Sequence, residues 1–562
     1  MYHGEIEKSI SFLIERSAKS VFADLGIRPP HFPEIRAEIE IPKEKSHGDL
    51  STNIAMRASK IAKRSPVELA NLLKPKLETA FSASELKDAI ERIEVKQPGF
   101  INFFLSPAYL SKVLLEITRR KGSFGRSSIG RNIKLQVEFV SANPTGPLTI
   151  AHGRQAAIGD SLANILQFLG YRVTREYYLN DEGNQMNILG ASIRARYMDL
   201  CGVKEPFPED GYKGSYIIDI AKAFKKRYGR RSVKSSGQDI NAFREFGLRW
   251  ILKDIRKDLN AFGIKFDVWY SQKSLRKSGK VEKTITFLRE KGYIYEKEGA
   301  VWFKSTSFGD DKDRVVYKSD GSATYLTPDI AYHLEKYRRG FKRLIDIWGP
   351  DHHGYVPRMK AAIKALGFQE DSLAVLIVQL ATLYRGGQAV SMSTRAGEFV
   401  TLREVMDEVG KDVARFCFLM RRISSHLDFD LDAVKKESME NPVYYIQYAH
   451  ARIWSILARK KSPRISAKFD SGLLKEAEEL GLMRMLRQFP LIVALSAKTL
   501  EPYVILQYLQ DLATVFHSFY TKHRVICGDP SLSRSRLVLV DCVRIVLANG
   551  LRLLGVSLPK KM

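Results

Sequence analysis

Ser141-Ala142-Asn143-Pro144-Thr145-Gly146-Pro147-Leu148-Thr149-Ile150-Ala151-His152-Gly153-Arg154 lies between a strand-like run and a helix-like run. Before it, Ile133, Leu135, Val137 and Phe139 alternate onto one face, as in a buried strand ending near Val140. After it, Leu162, Ile165, Leu166 and Leu169 recur at helical spacing until Gly170 stops the run. A strand, a Pro/Gly-rich turn and a helix opening near His152 make the shape of a nucleotide site. The free N–H groups and dipole of a helix N-terminus favour phosphate there. An ordinary βα turn has the same outline, so the pattern alone leaves both readings open.

Around this turn, residues 111 to 434 alternate strand and helix patterns, the sign of a parallel sheet. Tyr171 to Tyr178 reads as a second strand, and Arg343 to Trp348 as another, followed by a helix ending near Gly367. Leu373 to Val378 is a continuous apolar run, as expected of a strand covered on both faces. Between about 195 and 320 the pattern is irregular and strongly charged, and it reads as an insertion. Residues 1 to 110 read as a small α+β module. Its first helix carries Ile6, Ile10, Leu13 and Ile14, and alternating Ile39, Ile41 and Ile93, Val95 suggest strands. His47 to Asn53 opens a helix with several capping residues. Residues 435 to 562 carry long helical periodicities and read as an all-α domain. It is joined by the helix holding Tyr444, Tyr445, Gln447, Tyr448 and Arg452.

A chain of 562 residues is expected to form two to four domains. Its 90 Lys+Arg against 63 Asp+Glu give a formal charge of +27, which suits a polyanionic partner, although a generally basic proteome gives the same excess. The four cysteines form no C-x-x-C pair, so neither a disulfide framework nor a thiolate zinc site is expected. No basic run followed by an apolar core opens the chain, and the apolar run Leu537 to Leu558 is broken by Asp541, Arg544 and Arg552. The expectation is a cytoplasmic protein with no membrane span.

The segment Glu138 to Gly170 resembles the first nucleotide-binding turn of class I aminoacyl-tRNA synthetases, specifically of the arginyl-tRNA synthetases. Where that family carries His-x-Gly-His, this chain has Thr149-Ile150-Ala151-His152, keeping the second histidine. Four further stretches support the resemblance. Tyr178-Leu179-Asn180-Asp181-Glu182-Gly183-Asn184-Gln185 follows the second strand, where α/β sheets bind ligands. Tyr325-Leu326-Thr327-Pro328-Asp329 sets a phenol and a carboxylate four apart, on one face if the segment is helical. Trp348-Gly349-Pro350-Asp351-His352-His353-Gly354-Tyr355 follows a strand; its paired histidines suggest a metal only at first sight, since no third ligand is placed. Val390-Ser391-Met392-Ser393-Thr394-Arg395 matches the Lys-Met-Ser-Lys-Arg loop, with both lysines replaced by neutral residues.

The resemblance implies a Rossmann-type parallel-sheet catalytic domain, an N-terminal tRNA-contacting domain and a helical anticodon-binding domain. It implies a pocket for arginine from Glu138, Asn143, Tyr325, Asp329 and His353. Planar, acceptor-only carboxylates suit the rigid five-donor fork of a guanidinium. ATP, carrying Mg2+, would lie against Ala142, Gly146, Ala151, His152, Gly153, Gly349, Asp351, His352, Met392, Ser393 and Thr394. Thr149, His152, Ser393 and Arg395 would act on the phosphates, with Arg154 as a further cation. Tyr448, Arg452 and Arg524 would contact tRNA. The implied activity is that of an arginine–tRNA ligase, acting as a monomer without a resident metal. The competing expectation is an RNA-binding paralogue whose altered Thr149, Ala151, Ser391 and Thr394 no longer support activation of arginine. Against it stand the retained Glu138, Asn143, Tyr325 and Asp329, which a binding-only protein does not need.

Overall fold

The computed structural model describes residues 5–27, 37–42, 44–229, 240–390, 399–435, 441–458 and 469–562. The N-terminal unit comprises α1 (Glu5–Asp24), β1 (Leu50–Thr52), α2 (Ile54–Ala62), α3 (Pro66–Ser82), β2 (Ile90–Lys96) and β3 (Phe100–Leu105), and α4 (Pro107–Arg120) leads out of it. Its strands form an antiparallel sheet in the order β1-β3-β2. Ile6, Ile10, Leu13 and Ile14 are all buried, as their helical spacing requires. Ser65 opens α3: its hydroxyl accepts from the Glu68 N–H while Glu68 accepts from the Ser65 N–H. Ile39 and Ile41 do not form the expected strand. Glu40 makes a single bridge to Ser51, and Ile41 is exposed, so no second face needs covering.

The central unit runs through β4 (Lys134–Glu138), α5 (Ile150–Phe168), β5 (Arg172–Leu179), α6 (Asn184–Leu200), α7 (Ser215–Tyr228), α8 (Ile240–Ala261), β6 (Val268–Ser271), α9 (Gln272–Lys277) and α10 (Lys280–Glu290). A small antiparallel sheet follows, β7 (Ile294–Lys297), β8 (Ala300–Phe303) and β9 (Arg314–Tyr317), then α11 (Leu326–Arg338), β10 (Arg343–Trp348), α12 (Val356–Ala365) and β11 (Leu373–Ile377). The central sheet is parallel throughout, in the order β11-β10-β4-β5-β6. Two features differ from the sequence reading. Val268–Ser271, inside the span read as an insertion, is the fifth strand of the central sheet. Leu373–Ile377 is the opposite edge strand, so most of its side chains are only half covered despite the unbroken apolar run.

A third sheet, β12 (Ala381–Arg385), β13 (Gln388–Ala389) and β14 (Leu427–Asp430), is interleaved with α13 (Leu402–Val409) and α14 (Lys411–Leu419). After α15 (Leu431–Val434), the remaining described elements are helical: α16 (Pro442–Leu457), α17 (Ala477–Thr499), α18 (Tyr503–Lys522) and α19 (Pro530–Leu553), with a short turn at Ser471–Leu473. Among the described helices, α17 alone has the length and hydropathy to cross a membrane. It packs instead against α18, α4 and α19, burying Leu482, Met483, Leu486, Phe489 and Val493.

Helix α5 is the axis of the molecule, with nearly every residue from Gly153 to Leu166 buried. Gly153 is needed there, because a Cβ would stand 2.8 Å from the Leu402 side chain and 2.9 Å from Phe418. Asp160 on α5 accepts from Arg415 at 2.6 Å, and Arg415 also donates to the carbonyls of Leu554 and Phe262. One fully buried guanidinium thus joins the central helix, the end of α8 and the tail of the helical domain. The N-terminal unit docks on α17 through Arg484–Asp49 (2.8 Å) and Arg487–Glu7 (2.5 Å).

Candidate active site

Strands β4, β5 and β10 all end at one edge of the parallel sheet, and the chain leaves β4 for one side and returns at β10 on the other. The crevice between β4 and β10 is the topological switch point, where open α/β sheets bind ligands. Glu138 closes β4, directly beside Asp346 of β10 in the register. Both carboxylates are buried.

Helix α11 arrives over this crevice and presents Asp329, His333 and Lys336 at i, i+4 and i+7. The Lys336 ammonium, with no exposed surface, sits 2.6 Å from Glu138 Oε2 and 2.8 Å from Asp346 Oδ1. The His333 ring contacts Asp346 Oδ2 and the Asp329 carbonyl, each at 2.8 Å. Asp329 Oδ2 accepts from the Tyr355 hydroxyl at 2.7 Å. Burial pushes the Glu138 carboxyl up, opposed by Lys336, and pushes Asp329 up, opposed by the Tyr355 hydrogen bond. Burial also acts on Asp346, but Lys336 and His333 outweigh it and hold that carboxyl at about 2. Glu176 on β5 is separately satisfied by a two-pronged pair with Arg339 (2.7 Å each) and by the Tyr332 hydroxyl. Tyr178 stacks on Tyr332 at 4.3 Å, walling this side of the crevice.

Of the arginine-pocket residues expected from sequence, Glu138 and Asp329 lie on this charged floor. Tyr325 stands at the start of α11, 72% exposed, four residues before Asp329 as the spacing required. Asn143 and His353 are exposed on the turns after β4 and β10. Lys336, His333 and Asp346 were not singled out by the sequence reading. Their signal was available in the i, i+4, i+7 spacing from Asp329, but it reads equally as an ordinary buried helix face.

The turn from β4 to α5 opens on two left-handed residues, Val140 (φ 68°) and Ser141 (φ 37°). For a β-branched valine this conformation costs of order 1–3 kcal/mol. The Ser141 hydroxyl offsets it, accepting from the Tyr178 N–H at 3.0 Å and donating to Glu138 Oε1 at 3.1 Å. Thr149 is the N-cap residue of α5, and its backbone N–H donates to His152 Nδ1 at 3.1 Å. That bond makes Nδ1 an acceptor and leaves the ring hydrogen on Nε2. Burial pulls the His152 pKa down to about 4, so the imidazole is neutral at pH 7. Ala142 is buried, while Gly146, Ala151 and Gly349 are half-buried along the same edge. Gly349 opens a short helical turn, Pro350–Tyr355, on which Asp351 and His352 are exposed and 3.3 Å apart.

Arg154 does not face phosphates. Its guanidinium is fully buried and donates to the carbonyls of Gln379, Leu380, Arg422 and Ser425, clamping α5 to the segments around β12 and β14. Position two residues past His152 turns its side chain to the opposite side of the helix from the turn. Asp181 is likewise engaged, accepting from Ser271 Oγ and the Lys273 N–H at the start of α9. Ser391, Met392, Ser393, Thr394 and Arg395 lie outside the described residues.

Three family profiles match the chain: the arginyl tRNA synthetase N-terminal domain over 6–105, the class I tRNA synthetase (R) catalytic domain over 114–420 and the DALR anticodon binding domain over 446–562. The chain is 48% identical over 562 residues to an arginine–tRNA ligase of Citrifermentans bemidjiense, covering 99% of this chain and all of that one. It belongs to the arginyl-tRNA synthetase family. An arginine–tRNA ligase of Geobacillus kaustophilus is 49% identical over 529 residues, 93% of this chain and 94% of its own. The fold agrees with the arginyl-tRNA synthetase of Thermus thermophilus, at a TM-score of 0.77 over both full chains and 20% identity.

In this member of the arginyl-tRNA synthetases, the helical domain brings two of the three expected tRNA-facing residues to one place. Arg524 lines a cavity of about 520 Å³ with Tyr520, Lys522 and His523. Arg452 donates to the Tyr520 hydroxyl at 3.0 Å and lies over its ring at 5.0 Å. Tyr448 sits apart from the cavity lining, half-buried, with its ring 5.9 Å from that of His517. A larger cavity, about 1010 Å³, lies away from the strand ends, between Asp49 of the N-terminal unit and Arg484, Tyr503 and Gln507 of α17 and α18.

Proposed function

We propose that the chain joins L-arginine to its tRNA in two steps. The arginine carboxylate attacks the α-phosphate of ATP, giving arginyl-adenylate and pyrophosphate, and a ribose hydroxyl at the tRNA 3′ end then takes the arginyl group. No protein nucleophile is required, so the site acts by positioning and charge stabilisation. The observation that carries this reading is the pair of carboxylates at the switch point, buried Glu138 and half-buried Asp329, of the kind a guanidinium fork needs. Asn143, Tyr325 and His353 complete the arginine pocket from its exposed rim.

ATP lies along the turn from β4 to α5 and the Gly349 turn, against Ala142, Gly146, Ala151, His152, Gly153, Gly349, Asp351 and His352. The N-terminus of α5 offers free backbone N–H groups, and neutral His152 offers its Nε2–H. Mg2+ travels on the ATP phosphates. Met392, Ser393, Thr394 and Arg395 act on the phosphates. The domains divide near residues 110 and 434, with Tyr448, Arg452 and Arg524 contacting tRNA and the N-terminal unit touching it elsewhere. The protein works as a monomer in the cytoplasm.

The test is aminoacylation with arginine, ATP and total tRNA. Arginine-dependent charging is the expected result. Retained tRNA binding without any charging would establish the RNA-binding paralogue instead.

A further inference from the structure

The crevice floor contains more charge than recognition of one guanidinium requires. Glu138 and Asp346 lie side by side on neighbouring strands, both buried. Two adjacent buried carboxylates do not both stay ionised without compensation. Lys336 supplies it, with one ammonium between the two. The His333 ring lies against the other oxygen of the Asp346 carboxylate, 2.8 Å from Oδ2, and against the Asp329 carbonyl. Around them, Glu176 is closed by Arg339, the phenols of Tyr178, Tyr332 and Tyr355 are held neutral by burial, and Arg358 lies 5.6 Å from the centre of the Tyr355 ring.

We propose that Lys336 is a positioning residue for arginine recognition: by compensating Asp346 it keeps the neighbouring Glu138 carboxylate charged and available to the substrate guanidinium. This rests on the arginine reading above. Lys336 does not touch the substrate. It holds Glu138 ionised and aimed by its Oε2, leaving Oε1, anchored by Ser141, for recognition. Removing the ammonium leaves two adjacent buried carboxylates uncompensated, and the Glu138–Asp346 pair then takes up a proton. Removing the Asp346 charge alone leaves Lys336 paired with Glu138 only, which weakens the pull of Glu138 on a second cation. Removing both leaves Glu138 as a single carboxylate open to the substrate.

The experiment compares wild type, Lys336→Met, Asp346→Asn and the double variant by arginine-dependent pyrophosphate exchange with tRNA present. Each single variant should lose at least about tenfold in kcat/KM for arginine, near 1.4 kcal/mol, with the KM for ATP within about twofold of wild type. The double variant should exceed both singles. The Lys336→Met profile of kcat/KM for arginine should gain an ionisation between about pH 6 and 9 that wild type and the double variant lack. A double variant no better than the worse single, or equal losses for arginine and ATP with an unchanged pH profile, would make Lys336 a packing residue and overturn the proposal. If Lys336→Met does not fold, the comparison of Asp346→Asn with the double variant carries the same test. Wild type that exchanges no pyrophosphate with arginine would instead refute the arginine reading itself.

Discussion

The turn Ser141–Arg154 and the crevice floor beneath it hold their geometry in opposite ways. In the turn, Thr149 and Ala151 depart from the family motif, and backbone groups hold the geometry. The Thr149 N–H fixes the His152 ring, and the helix N-terminus needs no particular side chain to attract an anion. On the floor, the geometry is carried by side-chain charges. Glu138, Asp329, His333, Lys336 and Asp346 come from three elements and balance one another only in the folded chain. A site built from backbone tolerates substitution, and one built from buried charge does not.

Asp329→Ala should show the largest effect. It removes a half-buried carboxylate bonded to the Tyr355 hydroxyl, where truncating a paired charge costs roughly 2–5 kcal/mol, on the order of 30- to 5,000-fold. The loss should appear in the KM for arginine, with ATP little affected. Equal losses for both substrates would show that the crevice floor does not recognise arginine. Arg395→Ala comes next, in a motif outside the described residues. Ser391 and Thr394 leave that motif without its two lysines, so Arg395 is its remaining cation. Removing it should slow adenylate formation at least about 100-fold, near 2.7 kcal/mol. A normal rate would move the charge balance elsewhere; Arg154, committed to four backbone carbonyls, is not the substitute.

These contrasts follow what sequence showed. Strands β4, β5 and β10 and helix α5 were legible because apolar periodicity and the turn signals at Pro144, Gly146 and Gly170 agree with one another. Glu138 and Asp329 were reached through motif resemblance. Lys336 was not, since a lysine on a helix is usually solvated, and only tertiary contact between α11, β4 and β10 makes it buried. Arg154 was misread for the same reason: spacing from His152 does not say which side of α5 faces the nucleotide. The edge position of Leu373–Ile377 and the fifth strand at Val268–Ser271 depend on sheet order, which local pattern does not encode.

A third prediction concerns protons in the turn. The His152 value is depressed from its ordinary 6.5 to about 4 by burial. As pH falls through 6.5, the unfolded chain protonates this histidine first, so stability due to neutral His152 is intact above that point and lost toward pH 4. Ring nitrogen chemical shifts should show His152 as the Nε2–H tautomer and unprotonated down to about pH 5. His152→Asn should lower the rate at every pH without moving the profile between pH 6 and 8. A profile that loses an ionisation near 6.5 in this variant would mean the imidazolium is the working form.

Thr149→Ala should have the smallest effect, and it divides the two regions most sharply. Thr149 stands where the family motif has its first histidine, so a side-chain reading of the turn gives this position a large role. In the structure the bond to His152 Nδ1 comes from the Thr149 backbone N–H, which alanine keeps. The hydroxyl, 3.1 Å from the same nitrogen, adds at most a helix-capping contribution of about 1 kcal/mol, roughly fivefold. The expected result is a modest loss in pyrophosphate exchange, with the His152 tautomer unchanged by nitrogen shifts. Thr149→Pro, which removes the N–H, should free the ring and cost far more than alanine does. If alanine is as damaging as proline, the hydroxyl itself is acting on the phosphates, and the turn depends on side chains as strictly as the crevice floor.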